Sequence, residues 1–449
     1  MPPKNALEQL GGFVAGHAPE PRAVAKARSH VADTVGAWIA AAGTFEGRAL
    51  VAYRQPGAPL IDQVATRCAL VRLSEIDDIH LGAMITPGAI VVPAALTVAA
   101  SLPKVEAQEV AAALVAGYEA MIRLGFAIDG PSVLYRGIWP SYFAAPLGAA
   151  AVAARLMRLD EKQMAHALAL ALIMAAPGVG HHAAATTARW LAIGEAAGRA
   201  ALAAQAAFTC DLNLADGEFL KNIYGITPNA ALLGRGWGEP ALAQVPFKLW
   251  CAARQTMAAT QSLKELLAEG LAASSITAIE AAVLPPHRRM IDHGVTAGDR
   301  FSRLTSLPYQ MAVAALMPDA ACDLAAPAGP ISPDLAAFMA RIMARITVRA
   351  DDALLAAGYP NIWAARVAVT AGSRRHERMV THLPGDPARP FSETELLSKF
   401  SRVTRHLLAD DQAGAMFERA RAALDQPAAL LHEIERICAR QTGKPKPAP

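Results

Sequence analysis

Residues 144–176 read AAPLGAAAVAARLMRLDEKQMAHALALALIMAA. Two Ala-rich runs are separated by Arg158-Leu159-Asp160. Alanine loses no side-chain entropy in a helix and lets helices approach closely, so this texture predicts tightly packed helices rather than sheet. Asp160 and Glu161 open the second run with an acidic first turn, where the macrodipole favours negative charge. The same texture runs from 144 to 208, with a break expected at Pro177-Gly178-Val179-Gly180. Upstream, residues 6–43 read as helix on either side of Pro19 and Pro21. There Val24, Ala27, Val31, Val35 and Ile39 recur near helical spacing, and Gly43 is the stop. Residues 90–125 repeat the style.

The pattern changes after residue 258. SITAIEAAVLP (275–285) and ITVRADDAL (346–354) are short runs rich in β-branched residues. ARVAVTAG (365–372) and ERMVTHL (377–383) read as a hairpin across Gly372-Ser373-Arg374. Helical runs are expected near 309–317 and 333–344, and helix returns from 392. The expected fold class is mainly α. A large all-helical domain, 1–261 plus 391–449, is built from both chain ends, and a smaller α+β domain, 262–390, is inserted in it. A cleft between two domains is a default ligand site. The closing KPKPAP tail is expected to be disordered.

The 449 residues are 53 % hydrophobic and 18 % charged, a composition that buries a core and rules out general disorder. The formal charge of +3 gives no case for nucleic acid or an anionic membrane. Cys68, Cys210, Cys251, Cys322 and Cys438 are far apart and odd in number, which points to buried thiols in a reducing, cytoplasmic setting. The N-terminus has no apolar signal segment, and charge, Pro or Gly interrupts the Ala-rich stretches, so no membrane span is expected. There is no Walker motif or GxGxxG, and no cofactor is expected. His181-His182 is the one tempting metal pair. Adjacent residues point different ways, and no third ligand has suitable spacing, so no metal is expected either.

Leu73-Ser74-Glu75-Ile76-Asp77-Asp78-Ile79-His80-Leu81, then Thr86-Pro87-Gly88 and VVPAAL, resembles the acidic motif of the MmgE/PrpD family. The likeness continues in Arg136-Gly137-Ile138-Trp139-Pro140-Ser141, in Arg189-Trp190 leading to Gly194, and in Phe247-Lys248-Leu249-Trp250. It ends with Leu307-Pro308-Tyr309 and Ser398-Lys399-Phe400. The chain departs from the family pattern at Thr86 and Trp139, which replace histidines, and at Arg189, which replaces a lysine. The histidine that often follows the Lys248 motif is also absent, with Met257 in that region. The resemblance implies a helical domain with an inserted α+β domain, a homodimer, and a cofactor-free lyase acting on a small carboxylate. That group looks like 2-methylcitrate dehydratase, cis-aconitate decarboxylase and iminodisuccinate epimerase. Dehydration leads. Epimerisation, decarboxylation, or a binding protein that has lost the chemistry are the alternatives.

The residues themselves fit proton transfer and carboxylate binding. Glu75, Asp77 and Asp78 crowd three carboxylates into four residues. They either have raised pKa values, and so act as acid or base, or pair with Arg or Lys. The plainer alternative is a helix end that caps amides. Asp78→Asn is on this reading expected to keep the fold and remove most activity, with a melting temperature that holds or rises slightly if no Arg or Lys partner depends on that charge. His80 is a candidate base, or the group that orients Asp78. Tyr142 can donate a proton if a cation lowers its pKa, and Tyr309 can act as acid or cap. On the binding side, Thr86 and Ser141 offer hydroxyls and Trp139 a wall. Arg189, Lys248 and Arg254 offer charge, with a surface role favoured for Arg254. The fork of Arg189 can hold a carboxylate through two parallel bonds, and Lys248 or Arg254 could neutralise a second one. His287-Arg288-Arg289 and Arg374-Arg375-His376 read as solvated loops.

Overall fold

In a computed structural model the described residues are 4, 6–53, 57–175, 188–207, 218–234, 240–296, 299–318, 324 and 332–440. The Pro177–Gly180 break, His181-His182, Cys210, Cys322 and the KPKPAP tail lie outside them. The chain divides into two compact units, residues 1–247 with 392–449, and residues 248–391.

The first unit begins with α1 (Ala6–Gly16), α2 (Pro21–Ala42), α3 (Phe45–Tyr53), α4 (Leu60–Leu73), α5 (Gly88–Ser101) and α6 (Ala107–Ala127). It continues with α7 (Gly130–Tyr135), α8 (Ser141–Leu156), α9 (Glu161–Ile173), α10 (Ala188–Gln205), α11 (Glu218–Tyr224) and α12 (Ala230–Gly234). The helix start expected at Asp160 is there, and Asp160 caps α9: its carboxylate accepts from Gln163 N–H at 2.8 Å, and the Gln163 side chain accepts from the Asp160 amide. α6 is long and apolar enough to cross a bilayer by length and composition, yet 89 % of that stretch is buried in the protein. It packs on α8 as a core helix.

α10 packs most closely on α4 and α8. Glycine makes this possible. A Cβ on Gly194 would lie 2.3 Å from the Ala65 carbonyl oxygen, and one on Gly198 would lie 2.6 Å from that of Ile61. The pairing runs antiparallel, so the start of α10, with Arg189 and Trp190, meets the end of α4, with Arg72. Gly194→Ala pushes backbone against backbone. It is expected to cost about 1–3 kcal/mol, the range for overpacking, read as a lower denaturation midpoint.

In the second unit α13 (Arg254–Ala268) is followed by β1 (Ile276–Val283), α14 (Pro285–Ile291), α15 (Arg300–Thr305), α16 (Leu307–Leu316) and α17 (Pro333–Met343). Then come β2 (Ile346–Ala350), β3 (Ala365–Ala371) and β4 (Arg374–Val380). The sheet order is β2-β1-β3-β4, with β1–β2 parallel and the other pairs antiparallel. The β3–β4 hairpin turns at Gly372, φ +60°, so Arg374 opens the strand rather than closing the turn. After β2 the segment Asp352–Ala357 is a 3-10 helix, not strand. The unit starts at 248, against the expected 262. α13 explains the difference: Ala258, Ala259, Leu263 and Leu266 join one apolar cluster with Ile279, Val367 and Val369 of the sheet. His287 is not in a solvated loop. It is buried in α14, edge-on to Trp363 at 4.7 Å. The chain then returns to the first unit with α18 (Glu393–Thr404), α19 (Asp410–Arg421) and α20 (Pro427–Ala439). Cys68, Cys251 and Cys438 are buried free thiols.

Candidate active site

The loop from Ser74 to Pro87 joins α4 to α5 and is buried throughout. A two-residue bridge closes it: His80 N–H donates to Ile85 at 2.7 Å, and Ile85 N–H donates back at 3.3 Å. Glu75 sits at φ +55°, in the left-handed region that a side chain with a Cβ disfavours. Such outliers persist where the surroundings over-determine them, and they cluster at functional sites.

The three carboxylates do not act as one crowd. Arg72, at the end of α4, takes two of them, with Nη1 3.1 Å from Glu75 Oε2 and 3.0 Å from Asp77 Oδ1. Trp190 Nε1–H donates to Glu75 Oε1 at 3.0 Å. Asp78 points elsewhere. Its Oδ2 accepts from His30 Nδ1 and from the Tyr118 hydroxyl, each at 2.7 Å, and its Oδ1 accepts from Gly88 N–H at 2.7 Å. Burial opposes its charge, but these three donors hold the Asp78 carboxyl below its ordinary range. The raised pKa expected from crowding is therefore corrected for Asp78: it is a held anion and a weak base. The histidine that orients it is His30, 48 positions upstream, not His80. His80 is lowered to about 4 by burial, and its Nδ1 accepts from Ala83 N–H at 3.1 Å.

Beside Glu75 lies an aromatic and cationic wall. Trp139 stacks on Tyr142 with centroids 5.8 Å apart, and the guanidinium carbons of Arg72 and Arg189 each lie 5.3 Å from the Trp139 ring centre. Arg189 is also 5.7 Å from the Trp190 ring, and it is fully buried. Tyr142 gives its O–H to the Arg189 carbonyl at 3.0 Å. Burial lifts the Tyr142 pKa well above its ordinary value, outweighing Arg189 and Arg72. The expected lowering by a cation is thus reversed, and Tyr142 keeps its proton at neutral pH. Thr86 and Ser141 meet at the start of α8: Thr86 N–H reaches Ser141 Oγ at 3.2 Å, and their hydroxyls lie 3.3 Å apart.

Glu75, Asp77, Trp139, Tyr142 and Arg189 thus come together around Arg72. Lys248, Arg254 and Tyr309 belong to the second unit and are described within it. Lys248 is buried. Arg254 is not a surface residue: it is 2 % exposed and pairs with Asp386 at 2.5 Å. Tyr309 has a buried hydroxyl with no hydrogen-bond partner among the described residues, and burial pushes its pKa up to about 12.

Lys26, His30 and Asp33 on α2, Tyr118 on α6 and Lys399 on α18 were not reached from the sequence as site residues. Their signal was present: 26, 30 and 33 mark one face of a helix otherwise rich in alanine. Lys399 and Asp33 form a buried ion pair at 2.5 Å. Among the described residues no group of three His, Cys, Asp or Glu side chains is placed to hold a metal. A cavity of about 650 Å³ opens elsewhere in the first unit, lined by Trp38, Leu70, Ile434 and Cys438 with Arg67 and Glu435 on its wall. None of the candidate residues lines it. Shape alone is a weaker guide to chemistry than the buried acid–guanidinium cluster.

The MmgE/PrpD N-terminal domain matches residues 8–218, and the MmgE/PrpD C-terminal domain matches residues 250–426. No individual curated protein matches the chain. Two family domains in order, over most of the chain, agree with the motifs around Glu75, Trp139, Arg189 and Lys248: the chain belongs to the MmgE/PrpD family.

Proposed function

We propose that the first unit carries a cofactor-free lyase site of the dehydratase kind. It removes the proton next to a carboxylate of a small di- or tricarboxylate and expels water. Family membership supports a dehydratase-like activity in general. The observation that carries the finer reading is Glu75: a buried acid held in left-handed backbone between Arg72 and Trp190, beside the buried guanidinium of Arg189.

In this reading Glu75 accepts the carbon-bound proton. Arg189 holds the substrate carboxylate and stabilises the enolate charge that develops. The departing hydroxyl needs a proton, and in this reading the Tyr142 O–H gives it, leaving a phenolate that burial disfavours and that the Arg189 and Arg72 guanidinia must stabilise. Asp78 holds the loop and is a positioning residue. Epimerisation would need only a second proton-transfer group on the opposite face. The reading as a binding protein draws on Tyr142 and His80, since neither titrates near neutrality.

Arg189→Lys is expected to weaken carboxylate binding by about 1.5–3 kcal/mol, the range for hydrogen bonds to charged groups, because lysine lacks the planar fork. Titration calorimetry with the acid that binds the unaltered protein checks this. An unchanged affinity places Arg189 outside the site. The reaction itself is tested by incubating the protein with a panel of di- and tricarboxylates in D2O and following deuterium uptake and alkene formation. Binding without either favours the non-catalytic reading.

A further inference from the structure

Lys26, His30 and Asp33 share one face of α2, spaced four and three apart. Asp33 is closed off by Lys399. The other two remain open. His30 is fully buried and gives its Nδ1–H to Asp78 at 2.7 Å. That bond fixes the tautomer, so Nε2 carries a bare lone pair, and among the described residues no donor reaches it. Lys26, one turn earlier, makes no ion pair or hydrogen bond among the described residues. Its ammonium rests 4.7 Å from the centre of the Phe247 ring. The His30 imidazole stacks on that same ring at 4.5 Å. A cation and a bare acceptor therefore meet at one aromatic ring.

Lys26 is not required to neutralise Asp78. That carboxylate already accepts from three neutral donors and sits at the positive end of α5. A buried acceptor without a donor is also costly, and such atoms call for a ligand, a water or a catalytic role.

We propose that Lys26 and His30 form a subsite on α2 for an oxyanion that carries its own hydroxyl, with anionic oxygens on Lys26 Nζ and the O–H donating to His30 Nε2. The lysine stem is flexible, so its ammonium can turn from the Phe247 ring onto the anion. Both a 2-hydroxycarboxylate and monohydrogen phosphate have this chemistry. Succinate and sulfate have the charge without the hydroxyl. The subsite does not depend on the lyase reading, because it is defined by binding.

The test is titration calorimetry on the full chain with malate against succinate, and phosphate against sulfate, at pH 7.5. The hydroxyl-bearing member of at least one pair is expected to bind about tenfold more tightly, the scale of one hydrogen bond. Preference within the first pair identifies a hydroxy acid, and within the second a phosphate. Lys26→Met is expected to weaken the favoured anion by about tenfold while keeping the preference. His30→Asn keeps an amide N–H where Nδ1 donates to Asp78 and removes Nε2, so the preference falls to about one. Lys26 is only half-buried, so its variant folds even where His30→Asn does not. The ¹⁵N spectrum of wild-type histidines adds a readout that needs no variant: Nε2 of His30 shifts when the favoured anion is added. Equal affinities within both pairs, no binding of any of the four anions, an unmoved Nε2 signal, or wild-type affinity in Lys26→Met overturns the proposal.

Discussion

Asp78→Asn is expected to lower the stability of the first unit by about 3 kcal/mol or more, the scale of two hydrogen bonds to a buried charged group. The Asp78 carboxylate is fully buried and faces donors on both sides. Asn has one acceptor oxygen and one NH2 group. Turned so that the oxygen serves His30 and Tyr118, it sets the NH2 against Gly88 N–H. Turned the other way, it sets the NH2 against the imidazole and the phenol. The first orientation strands the Gly88 N–H; the second is met only if His30 changes tautomer and Tyr118 rotates, which strands a proton on His30 Nε2, where no partner lies among the described residues, and turns the phenol O–H away from its acceptor. The space is fixed too: a Cβ on Gly88 would lie 2.7–2.8 Å from the Asp78 carboxyl atoms, so the side chain cannot shift toward the helix. The crowding argument from sequence gives the opposite sign, a melting temperature that holds or rises. It fails because Arg72 takes Glu75 and Asp77 while Asp78 faces away. Chemical denaturation checks this: the midpoint falls with an unchanged slope. A midpoint equal to wild type contradicts the account of Asp78 as a clamp.

Mild acid is expected to have an effect of similar size. Among the described residues burial lowers His17, His30, His80 and His287, and three of them far: His30 and His80 to about 4, and His287, in the second unit, to about 3. In the unfolded chain each titrates near 6.5. Between the two values the unfolded state binds more protons than the folded one, so stability is fully present above about pH 6.5 and falls as pH drops toward 4. From 6.5 to 5 is about 1.5 units, or roughly 2 kcal/mol for each of the three lowered far, a large share of the 5–15 kcal/mol typical of a domain. Asp78, lowered in the folded state, adds a loss only further down, as pH falls through its folded value. Denaturation midpoints at pH 7.5, 6 and 5 measure the slope. His30→Asn should flatten it for the first unit, because the group that must stay neutral has gone. Equal stability at pH 7.5 and 5 contradicts the buried, uncharged state of these rings.

Local signals in the sequence were sufficient for much of the fold. Asp160 with Glu161 marked a helix start, Gly372-Ser373-Arg374 marked a hairpin, and the β-branched runs marked β1 and β2. The acidic motif, Trp139 and Arg189 were legible as candidates because they stand close together or match a family pattern. What stayed hidden depends on long-range packing. Arg72 was not singled out from the sequence. Only the antiparallel seat of α10 on α4, permitted by Gly194 and Gly198, brings Trp190 and Arg189 beside Glu75. His30 and Tyr118 are 48 and 40 positions from Asp78 in sequence, so nothing local announced their bonds to it. Burial then decided two signs: it kept Tyr142 protonated against two guanidinia, and it lowered His80.

The central claim, that Glu75 is the base of a carboxylate-directed lyase, is tested most directly by proton exchange in D2O. Wild-type protein and Glu75→Gln are incubated with the same panel of di- and tricarboxylates, and the carbon next to the carboxylate is followed by NMR. Gln keeps the Trp190 bond and the shape but cannot accept a proton. The account predicts deuterium uptake with loss of water for at least one acid in the wild type. In the folded variant that rate falls about 10²–10⁴-fold, the worth of a positioned base. Exchange at the wild-type rate in a folded Glu75→Gln, or no exchange of any acid by the wild type, would contradict it.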